Sequence, residues 1–82
     1  MEHTQDAVER TEDHGKQLRV NGTWTTTHAA TVAALLESLG MDPARHGIAV
    51  AVNETVVPRT KWAVTELQDG DTVELLRAVQ GG

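Results

Sequence analysis

The 82-residue chain contains no cysteine, no phenylalanine and no tyrosine, and only two tryptophans and two prolines. Without cysteine there are no disulfides, thiolate zinc sites, cysteine-ligated iron–sulfur clusters or thiol nucleophiles. With so few aromatic rings there is no stacking surface for nucleic-acid bases. Lysine and arginine total 7 against 12 aspartates and glutamates, a net charge of −5. That balance argues against nucleic acid as the main partner, since phosphate contacts need cationic side chains. A modest acidic excess is compatible with a basic protein partner. No apolar run is long enough to span a membrane and no secretory signal pattern opens the sequence, so the expected address is the cytoplasm. A chain of this length forms one small domain. Its core is too small for an elaborate buried active site.

Residues 1–16 read MEHTQDAVERTEDHGK, with Met1 and Val8 the only strong apolar residues. Such a charge-dense stretch has too little to bury to offset its ordering entropy, so a disordered N-terminal extension is expected. His3 and His14 match no metal-ligand spacing. The fold is expected to start at Gln17. Leu18 and Val20 alternate with Arg19 as in a half-buried strand. Asn21-Gly22 is a strong hairpin-turn signal, because both residues tolerate positive φ. Thr23 to Thr27, a β-branched run around Trp24, is the return strand.

Thr31 is placed to cap a helix. Val32, Leu35, Leu36 and Leu39 follow at i, i+3, i+4 and i+7, one apolar helical face read as core packing. Gly40 stands where a helix-ending glycine belongs. After a loop from Met41 to Gly47, Ile48, Val50 and Val52 alternate with Ala49 and Ala51. This predicts a strand whose second face is also partly covered. Asn53-Glu54 marks a turn, and Val56-Val57-Pro58 is a short extended piece. Arg59 to Glu66 is expected to be irregular or to hold a short helical turn, with Trp62 as a lid on the core. Asp69-Gly70-Asp71 forms a tight turn in which Asp69 bonds local backbone. Thr72 to Leu76 is the last strand. An opening hairpin, a crossing helix and later strands predict an α+β fold. Setting the last strand beside the first buries Leu18, Val20, Val73 and Leu75 against the helix. The expected architecture is therefore the β-grasp (ubiquitin-like) fold, a mixed sheet of four to five strands with one main helix across it. It spans residues 17–77, with a flexible tail over 78–82.

The tail reads Ala78-Val79-Gln80-Gly81-Gly82. Glycine lacks Cβ, so such a backbone can thread a narrow channel. Five extended residues reach roughly 16 Å, enough to carry a carboxylate into another protein's active site. Taken alone, a Gly-Gly end is also what a frayed terminus looks like.

Other constellations are weaker. Asp69 and Asp71 lack the further ligands a metal needs. Ser38, the sole serine, has no nucleophile-elbow context. Lys61 and His46 read as surface groups. Arg59 is either a surface salt-bridge residue or a contact for an acidic partner surface.

Val52-Asn53, Val57-Pro58-Arg59, Trp62, Asp69-Gly70-Asp71, Val73 with Leu75, and terminal Gly81-Gly82 occur in that order. Over roughly Gln17 to Gly82 this pattern resembles the ThiS-type sulfur carriers of thiamine biosynthesis. The N-terminal extension departs from that family's usual start at the first strand. The resemblance implies that the chain is a protein co-substrate and not an enzyme. An E1-like adenylating enzyme, using ATP and Mg²⁺, would activate the carboxylate of Gly82. A persulfide sulfur from a cysteine desulfurase or rhodanese-type donor would displace AMP, and the resulting thiocarboxylate would supply thiazole synthase. Gly81, Gln80, Val79 and Arg59 would contact partners, and no metal or cofactor would be bound by the chain itself. Two other functions stay open: a carrier for molybdopterin or another sulfur product, and a non-covalent ubiquitin-like interaction module.

Overall fold

Asn21 and Gly22 hold φ of 50° and 85°. Two successive residues in the left-handed region close a tight hairpin whose twist matches the flanking strands. They join β1 (Lys16–Val20) to β2 (Thr23–Thr27), paired antiparallel with Leu18 opposite Thr25. The structure is a computed structural model and describes residues 15–78. The extension expected to be disordered lies outside the described residues up to position 14. Strand β1 opens at Lys16, one residue before the expected Gln17. A second pair of positive-φ residues, Asn53 and Glu54 at 51° and 71°, links β3 (Ile48–Val52) to the two-residue β4 (Thr55–Val56). Strand β5 (Thr72–Arg77) runs parallel to β1 and antiparallel to β3. The five strands lie in the order β2-β1-β5-β3-β4, with the last strand in the middle.

Both turn asparagines reach back to that central strand. Asn21 Oδ1 accepts from Leu75 N at 2.8 Å and Nδ2 donates to Leu75 O at 3.1 Å. Asn53 Oδ1 accepts from Thr72 N at 2.9 Å, and its Nδ2 donates to Asp71 at 2.9 Å. The Asp69–Asp71 turn corrects one expectation. Asp69 Oδ1 accepts from Gln17 N at 2.8 Å, across the sheet, while Asp71 Oδ2 makes the local bond to Gln68 N at 2.8 Å. The β1–β5 register is the reason. It brings Gln17 alongside the turn, where its carbonyl also accepts from Gly70 N at 2.7 Å.

The helix α1 (Val32–Ser38) is capped by Thr31, whose Oγ1 accepts from Ala34 N at 3.2 Å. Its free N-terminal donors are met from outside. Val32 N donates to Thr65 O at 3.1 Å and Ala33 N to Trp62 O at 3.0 Å, so the 59–67 segment serves as a cap. That segment starts with a 3₁₀ turn, Arg59–Lys61. At the other end Gly40 has φ 80°. Gly40 N donates to Glu37 O and Met41 N to Leu36 O at 2.8 Å, the Schellman pattern. This ending overturns the full leucine stripe. Leu39 is the C-cap, 42% exposed, and Met41 packs against the core edge after the reversal. Leu18, Val32, Leu35, Leu36, Val50 and Val73 form the fully buried centre, and Trp62 and Leu67 close its side. Val20 is only partly buried. One helix covers one face of the sheet. On the other face Trp24, Ala49, Val56 and Leu76 are exposed and Ala51 is half-buried, so the expected second cover over β3 is absent at Ala49.

Candidate functional site

The chain leaves the sheet at Ala78, directly after β5. Val79, Gln80, Gly81 and Gly82 lie outside the described residues, so the site is built here from its root. Ala78 N donates to Gly47 O at 2.6 Å. This bond extends the β3–β5 ladder one step beyond the Ile48–Arg77 pair. Gly47 has φ 86°, and a methyl group there would sit 3.4 Å from the Ala78 Cβ. Position 47 therefore favours glycine on backbone grounds, while the methyl itself would make only an ordinary contact.

The loop carrying Gly47 is itself held. Asp42 Oδ1 accepts from Ala44 N at 2.9 Å and Asp42 O from Arg45 N at 2.9 Å, which closes a turn around Pro43. Arg59 then crosses to the same loop, its two terminal nitrogens donating to the Pro43 and Arg45 carbonyls. A planar guanidinium suits two acceptors at once. Its carbon lies 4.7 Å from the centre of the Trp62 ring. Trp62 is buried, with Nε1 donating to Val57 O at 2.9 Å. A chain of contacts thus runs from the core through Trp62 and Arg59 to the loop, and from Gly47 to the tail root. The structure brings Arg59 to the tail exit indirectly, through the loop it braces.

Two surfaces flank the exit. On the helix side is a cleft of about 370 Å³, lined by the loop residues Met41, Asp42, Arg45 and His46 and by Ile48, Arg77 and Ala78. On the open side, Leu76 and Ala49 form an apolar surface, with Leu76 71% exposed. Sequence reading missed Gly47, Arg45, Arg77 and Leu76. A signal existed for Leu76: in an alternating strand, two consecutive leucines cannot both face the core. Ser38 donates to Leu35 O at 2.8 Å, and His46 and Lys61 are exposed. Among the described residues no group of three His, Asp or Glu side chains is placed to hold a metal, and no helix is long and apolar enough to cross a membrane. Chemically, this end of the molecule offers a rigid base for whatever the last residues carry.

Residues 14–82 match the ThiS family. The chain is 44% identical over 52 residues to the sulfur carrier protein ThiS of Escherichia coli (strain K12), a stretch covering 63% of this chain and 76% of that protein. Its fold superposes on the crystal structure of the thiamine biosynthesis protein ThiS from Geobacter metallireducens with a TM-score of 0.65. Identity there is 35%, over 80% of this chain and 99% of the other. A solution structure of a thiamine biosynthesis protein from the same organism gives 0.67 at 35% identity, over 80% and 87%.

Proposed function

The chain belongs to the ThiS family, and from that premise we propose that it is a sulfur carrier in thiamine biosynthesis, acting as a co-substrate and not as a catalyst. The observation that carries this reading is the family match running through Gly82, on a chain whose Ala78 is anchored to Gly47. The reactive group is the Gly82 carboxylate. An E1-like adenylating enzyme binds ATP and Mg²⁺; this chain holds neither. A carboxylate oxygen attacks the α-phosphorus, and pyrophosphate leaves. The acyl adenylate is now an electrophile that a bare carboxylate is not. The terminal sulfur of a persulfide, held on a cysteine desulfurase or a rhodanese-type protein, attacks the acyl carbon and AMP departs. A thiol reductant then cleaves the remaining S–S bond and leaves the thiocarboxylate, which donates its sulfur to thiazole synthase. Gly81, Gln80 and Val79 line the enzyme's channel in this scheme. The whole cycle is assigned to the cytoplasm.

The test is ATP–pyrophosphate exchange with the adenylating enzyme, followed by intact mass after a sulfur source is added. The expected product has one oxygen exchanged for sulfur. No exchange, with the chain binding partners only non-covalently, would leave an interaction module instead. Thiamine auxotrophy on gene deletion separates this product from molybdopterin or another sulfur compound.

A further inference from the structure

We infer that the cleft beside Ala78 is the seat for an acidic segment of the activating enzyme, with Arg45 and Arg77 as its cationic contacts. The inference rests on the carrier reading and adds the chemistry of the partner's surface. Four observations carry it. First, the cleft has an apolar floor, Met41 and Ile48, and arginines contributed by two separate elements. Second, Asp42 is the one carboxylate among the lining residues, and its Oδ1 already accepts from Ala44 N within the loop turn. Third, the two ends of β5 differ in which charges flank them, with Lys16 and Arg19 of β1 among the acids at its start and Asp42 beside the arginines at its end. The register places Glu54, Asp69 and Asp71 beyond the start of β5, and Arg45 and Arg77 at its end. Fourth, Val79 to Gly82 span at most about 13–14 Å. Any enzyme that takes the tip must therefore come close to the root, which this cleft borders.

Arg59 gives the seat its fixed shape, because it ties the Pro43–Arg45 carbonyls to the Trp62 ring. A preformed site spends less binding energy on ordering. An acidic enzyme segment is attracted to the Arg45–Arg77 pair beside the tail root.

The experiment uses the full chain with the adenylating enzyme of the same organism. Steady-state ATP–pyrophosphate exchange is measured for wild type, Arg45→Glu/Arg77→Glu and Arg45→Lys/Arg77→Lys, with melting curves confirming that each is folded. We expect the double reversal to raise KM for the carrier about tenfold or more, with kcat little changed, and to abolish the fall of wild-type kcat/KM with added salt. The double lysine variant should keep most of the wild-type KM. An unchanged KM, or a wild-type kcat/KM indifferent to salt, overturns the inference while leaving the carrier reading intact. So does a loss confined to kcat, which would place the arginines at the reacting tip. A second arm titrates the ¹⁵N-labelled chain alone with Mg-ATP. Shifts centred on Arg45 and Arg77 would make the cleft a nucleotide-phosphate site and overturn the inference as well. Absence of exchange with the wild-type chain rejects the carrier reading and this inference together.

Discussion

At the scale of single residues, the terminal glycine and the tail root make different demands. Deleting Gly82 leaves the carboxylate about 3.3–3.6 Å short of its station. Misplacement of about 1 Å at a reacting centre can cost on the order of 10²-fold, so exchange with the activating enzyme should nearly vanish. Gly81→Ala keeps the carboxylate in place but narrows the accessible backbone, and should slow adenylation without moving the melting curve. Wild-type exchange by the Gly82 deletion would end the carboxylate-tip mechanism. Arg59 is the contrasting case. Arg59→Met keeps the apolar stem but removes both donors to the loop. For a solvent-exposed fork we expect a loss of about 1 kcal/mol in denaturant unfolding. Arg59→Lys should not restore it, because an ammonium lacks the planar fork. Unfolding curves indifferent to both changes would mean that the brace contributes nothing to the fold. The tip was open to proposal from the sequence because chemistry at a chain end needs no tertiary structure. The brace was not, since no local pattern links position 59 to carbonyls 14 and 16 residues away.

At the scale of elements, periodicity carried most of the information. Thr31, the Val32-Leu35-Leu36 face and Gly40 specify a helix start, a buried side and a stop, and all three stand where the pattern put them. Leu35→Ala should cost about 2–5 kcal/mol, most of what a domain this small has to lose. Leu39→Ala should cost far less, as Leu39 is half outside the core. Equal losses for the two would contradict the exposed C-cap. The extra leucine was misplaced because a 3.6 period does not reveal that the backbone reverses at Gly40. Only the Schellman bonds to Glu37 and Leu36 decide which residue closes the core, and they give the place to Met41. The 59–67 segment was legible only as irregular. Its role as a cap on α1 depends on carbonyls of Trp62 and Thr65 meeting helix donors some thirty positions earlier. The turn asparagines were readable as turns but not as ties to β5, for the same reason.

At the scale of the whole molecule, β5 is both the centre of the sheet and the base of the tail. The segment that anchors the fold therefore also sets where the last four residues begin. The Ala78–Gly47 bond fixes the point from which they start. The same architecture sets where the N-terminal side can be cut. Lys16 belongs to β1: it pairs with Thr27, and its Nζ donates to Ala29 O at 3.0 Å. Gly15, at φ 76°, is close against Thr27 as well, since a methyl there would lie 2.7 Å from the Thr27 carbonyl oxygen. Removing Met1 to His14 should leave the melting temperature nearly unchanged, because that stretch carries almost no apolar surface. Removing Met1 to Lys16 instead takes away a strand pair and the Ala29 contact. The new terminal ammonium at Gln17 would face Asp69, but an exposed ion pair offsets little. A loss of about 1 kcal/mol is expected, which for a domain of this size lowers the midpoint by about 4–8 °C. Thermal unfolding of the two truncations side by side decides the matter. A drop of several degrees on removing Met1 to His14 alone would show that the leader packs on the body, and equal midpoints for the two would show that the Lys16–Thr27 end of β1 contributes nothing.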